Sequence, residues 1–306
     1  MKSIATFIYP RVVWREGRKM LWNPIHRQPM KNRPEERVRL RIIEYLLLAG
    51  WSIHRISTEE KIGKLADTGM RTDIICYSQE FEPRILVECK AEHIPITRKT
   101  AEQVARYNQQ VGSPYLLMSN GIADFWYVVR DGQVEVLDKQ PDFLYSDGIP
   151  LPDYGFKDWD RRGFAGAEAS PALRKWLVRL LPGLWHEQAP SNIRFLTFSQ
   201  QLIDLDLSHY YLIKPINKQR RLALTTLTTA YGGSRMVAIL NENNNNRGVI
   251  EINLDLLFEG AHKNSTIYSE AGTCTIDVRD FVDLPDTTDA ELLTEQIPRV
   301  FLEYLE

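Results

Sequence analysis

Apolar residues recur at helical spacing in the stretch RPEERVRLRIIEYLLLAGW, where Val38, Ile42, Tyr45, Leu46 and Ala49 are spaced as one face of a helix. Pro34 suits a first helical turn, Glu35 and Glu36 follow at the favourable end of the helix dipole, and Gly50 supplies the stop. The period then changes. TDIICYS and RILVECKA read as two β-rich runs joined by the turn residues of QEFEP. Helical character returns from Thr100 to Val111 and ends at Gly112 and Pro114. A short apolar strand, YLLMSNG, follows, and then a hairpin, ADFWYVVRDGQVEVLD, turning at Asp131 and Gly132. Helix, strand, strand, helix, strand predicts a small α/β domain with a mixed sheet.

Periodicity is lost over residues 141–170, which accumulate Pro, Gly and aromatics. Beyond them, PALRKWLVRLLPGLW predicts a helix cut at Pro182. IRFLTFSQQLIDLD, RRLALTTLTTAY, RMVAILNE and GVIEINLDLLF predict strands, and NENNNN a solvated hairpin tip. TDAELLTEQIPRVFLEYLE reads as a closing amphipathic helix kinked near Pro298. The expected organisation is a basic segment over 1–33, an α/β domain over 34–140, a linker over 141–170 and a strand-rich α+β domain over 171–306.

Composition narrows the class. The chain has 306 residues, 43% hydrophobic and 25% charged, enough to bury the cores of two globular domains. No apolar run approaches the ~18–20 residues that a membrane-spanning helix needs. The apolar start ends at Pro10 and Arg11, too soon for a signal peptide, so a cytoplasmic protein with no membrane partner is expected. Cys76, Cys89 and Cys274 are too scattered for a disulfide framework or a zinc site. Reduced thiols follow, with Cys89 packed rather than reactive.

The net charge of −2 conceals a basic start: residues 1–41 carry eleven Lys and Arg against three acids. Such a run attracts a phosphate backbone, with a solvated basic face as the alternative. KPINKQRR further on could also touch phosphates, though a solvated loop is the plainer reading.

Asp73, Glu88 and Lys90 stand among residues that otherwise read as buried strands, where an unpartnered charge is costly. Glu88 and Lys90 share a face because strand side chains alternate. A hairpin pairing of the two strands could bring Asp73 close to Glu88, but the register is not fixed by the sequence. Two adjacent carboxylates repel unless a cation relieves them, and Mg²⁺ suits one or two carboxylates together with substrate phosphate oxygens. Lys90 could then orient a water for attack on phosphorus. The plainer alternative is a solvated salt-bridge ladder.

Asp73 with the E-x-K element Glu88-Cys89-Lys90 resembles the PD-(D/E)xK nuclease superfamily. Gln103 and Tyr107, four apart on the following helix, resemble the extra motif of RecB-like nucleases, in which the Gln supports the metal site. More specifically, WNPIHRQ, RPEERVR, RTDIICY, LVECKAEHIPIT, EQVARYN and YLLMSNG, in this order, resemble the N-terminal nuclease domain of type I restriction enzyme R subunits in its short, separate form. The resemblance implies a restriction-endonuclease-like α/β core and a Mg²⁺-dependent deoxyribonuclease, acting as an endonuclease in restriction or host defence, with Mn²⁺ as a substitute metal. It implies catalytic roles for Asp73, Glu88, Lys90 and Gln103. The metal ligands would be Asp73, Glu88 and an acid of the first helix, for which Glu35, spaced with Val38 and Ile42, is favoured over Glu36. DNA is the implied partner, with a further protein subunit. No Walker A pattern is present, so the resemblance covers the nuclease module alone. The competing reading is a non-catalytic nucleic-acid-binding or assembly module that keeps the fold.

Overall fold

The computed structural model describes residues 1–6, 8–59, 71–144, 155–185, 193–195 and 210–305. The chain forms two compact units, Met1–Val13 with Met20–Leu151 and Trp14–Lys19 with Pro152–Glu306. Near the start, β1 (Val12–Arg15), β2 (Arg18–Asn23) and β3 (Gln28–Lys31) form a small sheet in that order.

In the first unit the helix α1 (Pro34–Leu48) forms where the periodicity predicts it, and its Leu40, Ile42, Ile43 and Leu46 are buried. Six strands follow in one sheet: β4 (Ile56–Thr58), β5 (Ile74–Tyr77), β6 (Pro83–Cys89), β7 (Tyr115–Ser119), β8 (Asp124–Arg130) and β9 (Gln133–Leu137). Each lies beside its sequence neighbour. All pairs are antiparallel except β6 and β7, which are parallel. A parallel pair needs a crossover, and α2 (Arg98–Val111) supplies it. Thr97 and Thr100 cap the start of α2 reciprocally, and Gly112, at φ 75°, turns the chain out of it in the left-handed conformation.

Strand alternation divides the core of this sheet in two. Ile74, Cys76, Ile85, Val87, Cys89 and Leu117 pack with Leu40, Ile42, Ile43 and Leu46 of α1. Ile75, Leu86, Leu116 and Met118 pack with Val104 of α2. Strands covered on both faces carry apolar runs rather than strict alternation. Each such side chain contributes about 1.5–3 kcal/mol by leaving water, which fixes β5 and β6 and whatever lies at their ends.

In the second unit seven antiparallel strands run in sequence order: β10 (Ile193–Phe195), β11 (Tyr210–Pro215), β12 (Arg220–Thr228), β13 (Ser234–Glu242), β14 (Asn245–Asn253), β15 (Ser265–Ser269) and β16 (Gly272–Ile276). The helices are α3 (Phe156–Arg161), α4 (Pro171–Trp185), α5 (Leu254–Phe258) and α6 (Ala290–Leu305). This is the strand-rich α+β domain expected.

Several local expectations are corrected. The helix predicted to stop at Pro182 runs through it, because Leu180, Leu181, Leu184 and Trp185 are buried and their packing outweighs one missing backbone hydrogen bond. LDLLF is not a continuation of its strand but the helix α5, capped by Asn253, whose side chain accepts from the N–H of Leu256. The NENNNN tip is tight, with Asn243 and Asn244 at positive φ, and its flanks are not solvated: Asn241 and Asn246 are buried and bonded to each other. Of IRFLTFSQQLIDLD only Ile193–Phe195 is described as strand, and the rest lies outside the described residues. Among the described residues no helix is long and apolar enough to cross a membrane.

Candidate active site

The register of β5 and β6 decides the site. Ile74 pairs with Val87 and Ile75 with Leu86, which carries Asp73 level with the end of β6, where Glu88 and Cys89 stand. Asp73 Oδ2 accepts a hydrogen bond from the backbone N–H of Cys89 at 2.7 Å. Glu88 Oε1 accepts from Lys90 Nζ at 2.7 Å and from Gln103 Nε2 at 3.3 Å. The same amide donates to the Tyr107 hydroxyl at 3.0 Å, so the i, i+4 pair on α2 acts as a bracket behind Glu88. Cys89 points to the other face and is fully buried, as packing rather than chemistry requires.

Both acids line a cleft of about 680 Å³, together with Glu35, Glu36, Arg39 and Glu59. Glu35 is half exposed, and its Oε1 lies 3.8 Å from Lys90 Nζ. Spacing with Val38 and Ile42 does not bury it; the buried acid of that turn is Glu36. Glu36 pairs with Arg39, and its Oε1 has no hydrogen-bond partner. Arg39 Nη1 also approaches Glu59 Oε1 at 3.3 Å and Asp73 Oδ1 at 3.5 Å.

Arg39, counted only among the basic residues of the start, joins the site, and its position three residues after Glu36 was a usable helical signal. Glu59 gave no local signal. Neither did the buried roles of Arg37 and Arg41, counted among the basic residues of the start. Arg37 bonds Asn32 and Glu92, and Arg41 donates to the carbonyls of Ala5, Thr6, Ile8 and Gly121. His93 is exposed, and Asn120 and Gly121 make a turn in which Asn120 accepts from Ile122 and Ala123. In the KPINKQRR stretch, Arg220 pairs with Glu242 and Arg221 with Asn241 and Asn244.

Burial raises the Asp73 carboxyl to about 7, with the charge of Glu88 adding to it and the Cys89 N–H and Arg39 working against it. Burial also raises Glu88, against the pull of Lys90. For Lys90, burial disfavours the ammonium, but the bond to Glu88 and the charges of Glu88, Glu35 and Asp73 outweigh it and hold the group above its usual value. Arg39 likewise stays charged: burial opposes the charge and Glu36, Asp73 and Glu59 overcome it.

Burial raises both carboxyls, with the charge of Glu88 adding to it at Asp73 and that of Glu35 at Glu88, and their oxygens are hard donors. A magnesium ion fits this donor set. Mg²⁺ characteristically takes one or two carboxylates, and among the described residues no three His, Cys, Asp or Glu side chains are grouped to hold a metal. The hydrogen bonds use one oxygen of each acid, Asp73 Oδ2 from the Cys89 N–H and Glu88 Oε1 from Lys90 and Gln103, while Asp73 Oδ1 faces Arg39 Nη1.

No curated protein matches the chain. The segment that holds α1, the six-stranded sheet, α2 and the carboxylates of the cleft, residues 34–141, matches the family described as the type I restriction enzyme R protein N terminus (HSDR_N), and this part of the chain is similar to that restriction-related, nuclease-like domain.

Proposed function

We propose that the protein is a Mg²⁺-dependent deoxyribonuclease that hydrolyses phosphodiester bonds at the Asp73–Glu88 pair and serves in restriction of foreign DNA. The observation that carries the reading is the β5–β6 register, which sets two mutually repelling carboxylates side by side with a lysine bonded to one of them. The family match of residues 34–141 supports the same class of chemistry.

Asp73 and Glu88 hold the metal in this reading, with Glu35 as an outer carboxylate. Bound Mg²⁺ supplies positive charge to the phosphate and lowers the pKa of a bound water. Lys90 is held as an ammonium, so it cannot take a proton from the attacking water. It acts as a donor, orienting the water by its lone pair or binding the oxyanion that develops on phosphorus. Gln103 fixes the oxygen of Glu88 that Lys90 also uses, and Tyr107 fixes Gln103.

The test is incubation of the protein with linear, circular and single-stranded DNA plus Mg²⁺ or Mn²⁺, with EDTA and Lys90→Ala as controls. Metal-dependent cleavage is expected, reduced about 100-fold or more by Lys90→Ala, the loss typical of one transition-state donor. Cut circles would define an endonuclease. DNA bound but uncut with either metal would leave a binding module in place of an enzyme.

A further inference from the structure

The cleft is bipolar. Its interior cation Arg39 is committed to Glu36, Glu59 and Asp73, and the neighbouring Lys90 is committed to Glu88 and Glu35. Its lining also includes Lys31, Arg33 and Arg71, which are exposed and make no ion pair with any described residue. They come from three separate places in the chain: the end of β3, the N-cap of α1 and the approach to β5. Three long cationic side chains converging on the cleft that holds the acid pair are not needed by the fold, since nothing in the described core uses their charge. Elsewhere in the basic start, Arg37 and Arg41 are buried in structural bonds.

We infer that Lys31, Arg33 and Arg71 form a phosphate-binding rim that grips the DNA backbone on either side of the bond to be cut. The inference rests on the proposed reading of the cleft and adds to it which cations hold the substrate. Acids alone would repel a polyanion from this cleft, and the rim supplies the opposing attraction by displacing counterions from the phosphates. Backbone contacts of this kind position a nucleic acid without reading its sequence.

The experiment is fluorescence anisotropy of a labelled DNA duplex, with the matching single strand and an RNA of the same sequence as further arms, in EDTA so that no cleavage intervenes. The triple variant Lys31→Ala, Arg33→Ala, Arg71→Ala is compared with Lys157→Ala, Lys175→Ala, Lys263→Ala, which removes the same charge from exposed sites on the second unit. The rim variant is expected to bind duplex roughly tenfold or more weakly at low salt. Its slope of log K against log salt should be shallower by roughly 2 to 3, at about 0.9 for each phosphate that is no longer neutralised. The control should keep the wild-type slope. A rim variant with the wild-type slope, an equally weakened control, binding of RNA alone, or no binding by the wild type would each overturn the rim. Circular dichroism of the triple variant distinguishes weaker phosphate binding from unfolding, and single variants, each shifting the slope by about 0.9 for duplex, give the same answer if the triple is unstable. A rim-dependent affinity in a protein that cuts nothing would leave the rim standing and sink the nuclease.

Discussion

Asp73 keeps its proton to about pH 7 chiefly because it is buried and secondly because Glu88 is beside it. In the unfolded chain the same carboxyl ionises near its ordinary 3.8. The folded state therefore binds the proton in a window where the unfolded state has released it. The stability this contributes is full below about pH 4 and is lost as pH rises towards 7. In EDTA, the urea midpoint of the wild type should fall across that window through this group, and Asp73→Asn should flatten the fall. An unchanged pH profile in the variant would remove Asp73 as the titrating group. Mg²⁺ should offset the loss near neutrality by relieving the charge pair. Glu36 sets a second residue-scale question, because one of its oxygens is buried without a partner while the other holds Arg39. A lone unsatisfied oxygen of this kind typically costs about 1–3 kcal/mol, so Glu36 is retained at a local expense that the Arg39 pairing opposes.

At the scale of elements, the strands and helices that build the cleft were legible from different signals. The span of α1 stands in the sequence as a period of 3.6, the two strands around Asp73 and Glu88 as β-rich apolar runs bounded by turn residues, and α2 with Gln103 as a helical stretch stopped by Gly112 and Pro114. The register between β5 and β6 was not legible, since a slip of one residue keeps the apolar run intact while turning every side chain over, and only packing on both faces decides it. Pro182 inside α4 and the helical turn of LDLLF failed for a related reason: burial of leucines and a side-chain cap outweighed the local preference. Arg39 and Glu59 meet Asp73 from separate elements, so no window of sequence contained the cluster. The bracket on α2 carries its own prediction. Gln103→Ala leaves the helix a good former but removes the second donor to Glu88 Oε1, and loss of such an outer partner typically weakens metal binding about 10–100-fold. Titration calorimetry with Mn²⁺ measures it, and an affinity within error of the wild type would show that Gln103 does not support the metal. Gln103→Glu is the informative companion, because it keeps the shape and adds a like charge beside Glu88.

Across the whole molecule the two compact units have separate cores, one built on the six-stranded sheet and one on the seven-stranded meander. A ligand that binds the folded state alone stabilises it by an amount set by concentration over Kd, and that stabilisation is felt where the ligand binds. Magnesium bound by Asp73 and Glu88, as proposed, would act on the ends of β5 and β6 and, through the contacts of Lys90 and Gln103, on α1 and α2. Hydrogen exchange with and without Mg²⁺ should therefore slow in Ile74–Tyr77, Pro83–Cys89 and Arg98–Val111, with little change over Arg220–Thr228 and Ser234–Glu242. Asp73→Asn should abolish the difference. Protection confined to the second unit would move the metal away from the carboxylate pair altogether. Equal protection in both units, abolished by Asp73→Asn, would instead make the units one cooperative body, in which the strand-rich domain senses occupancy of the cleft.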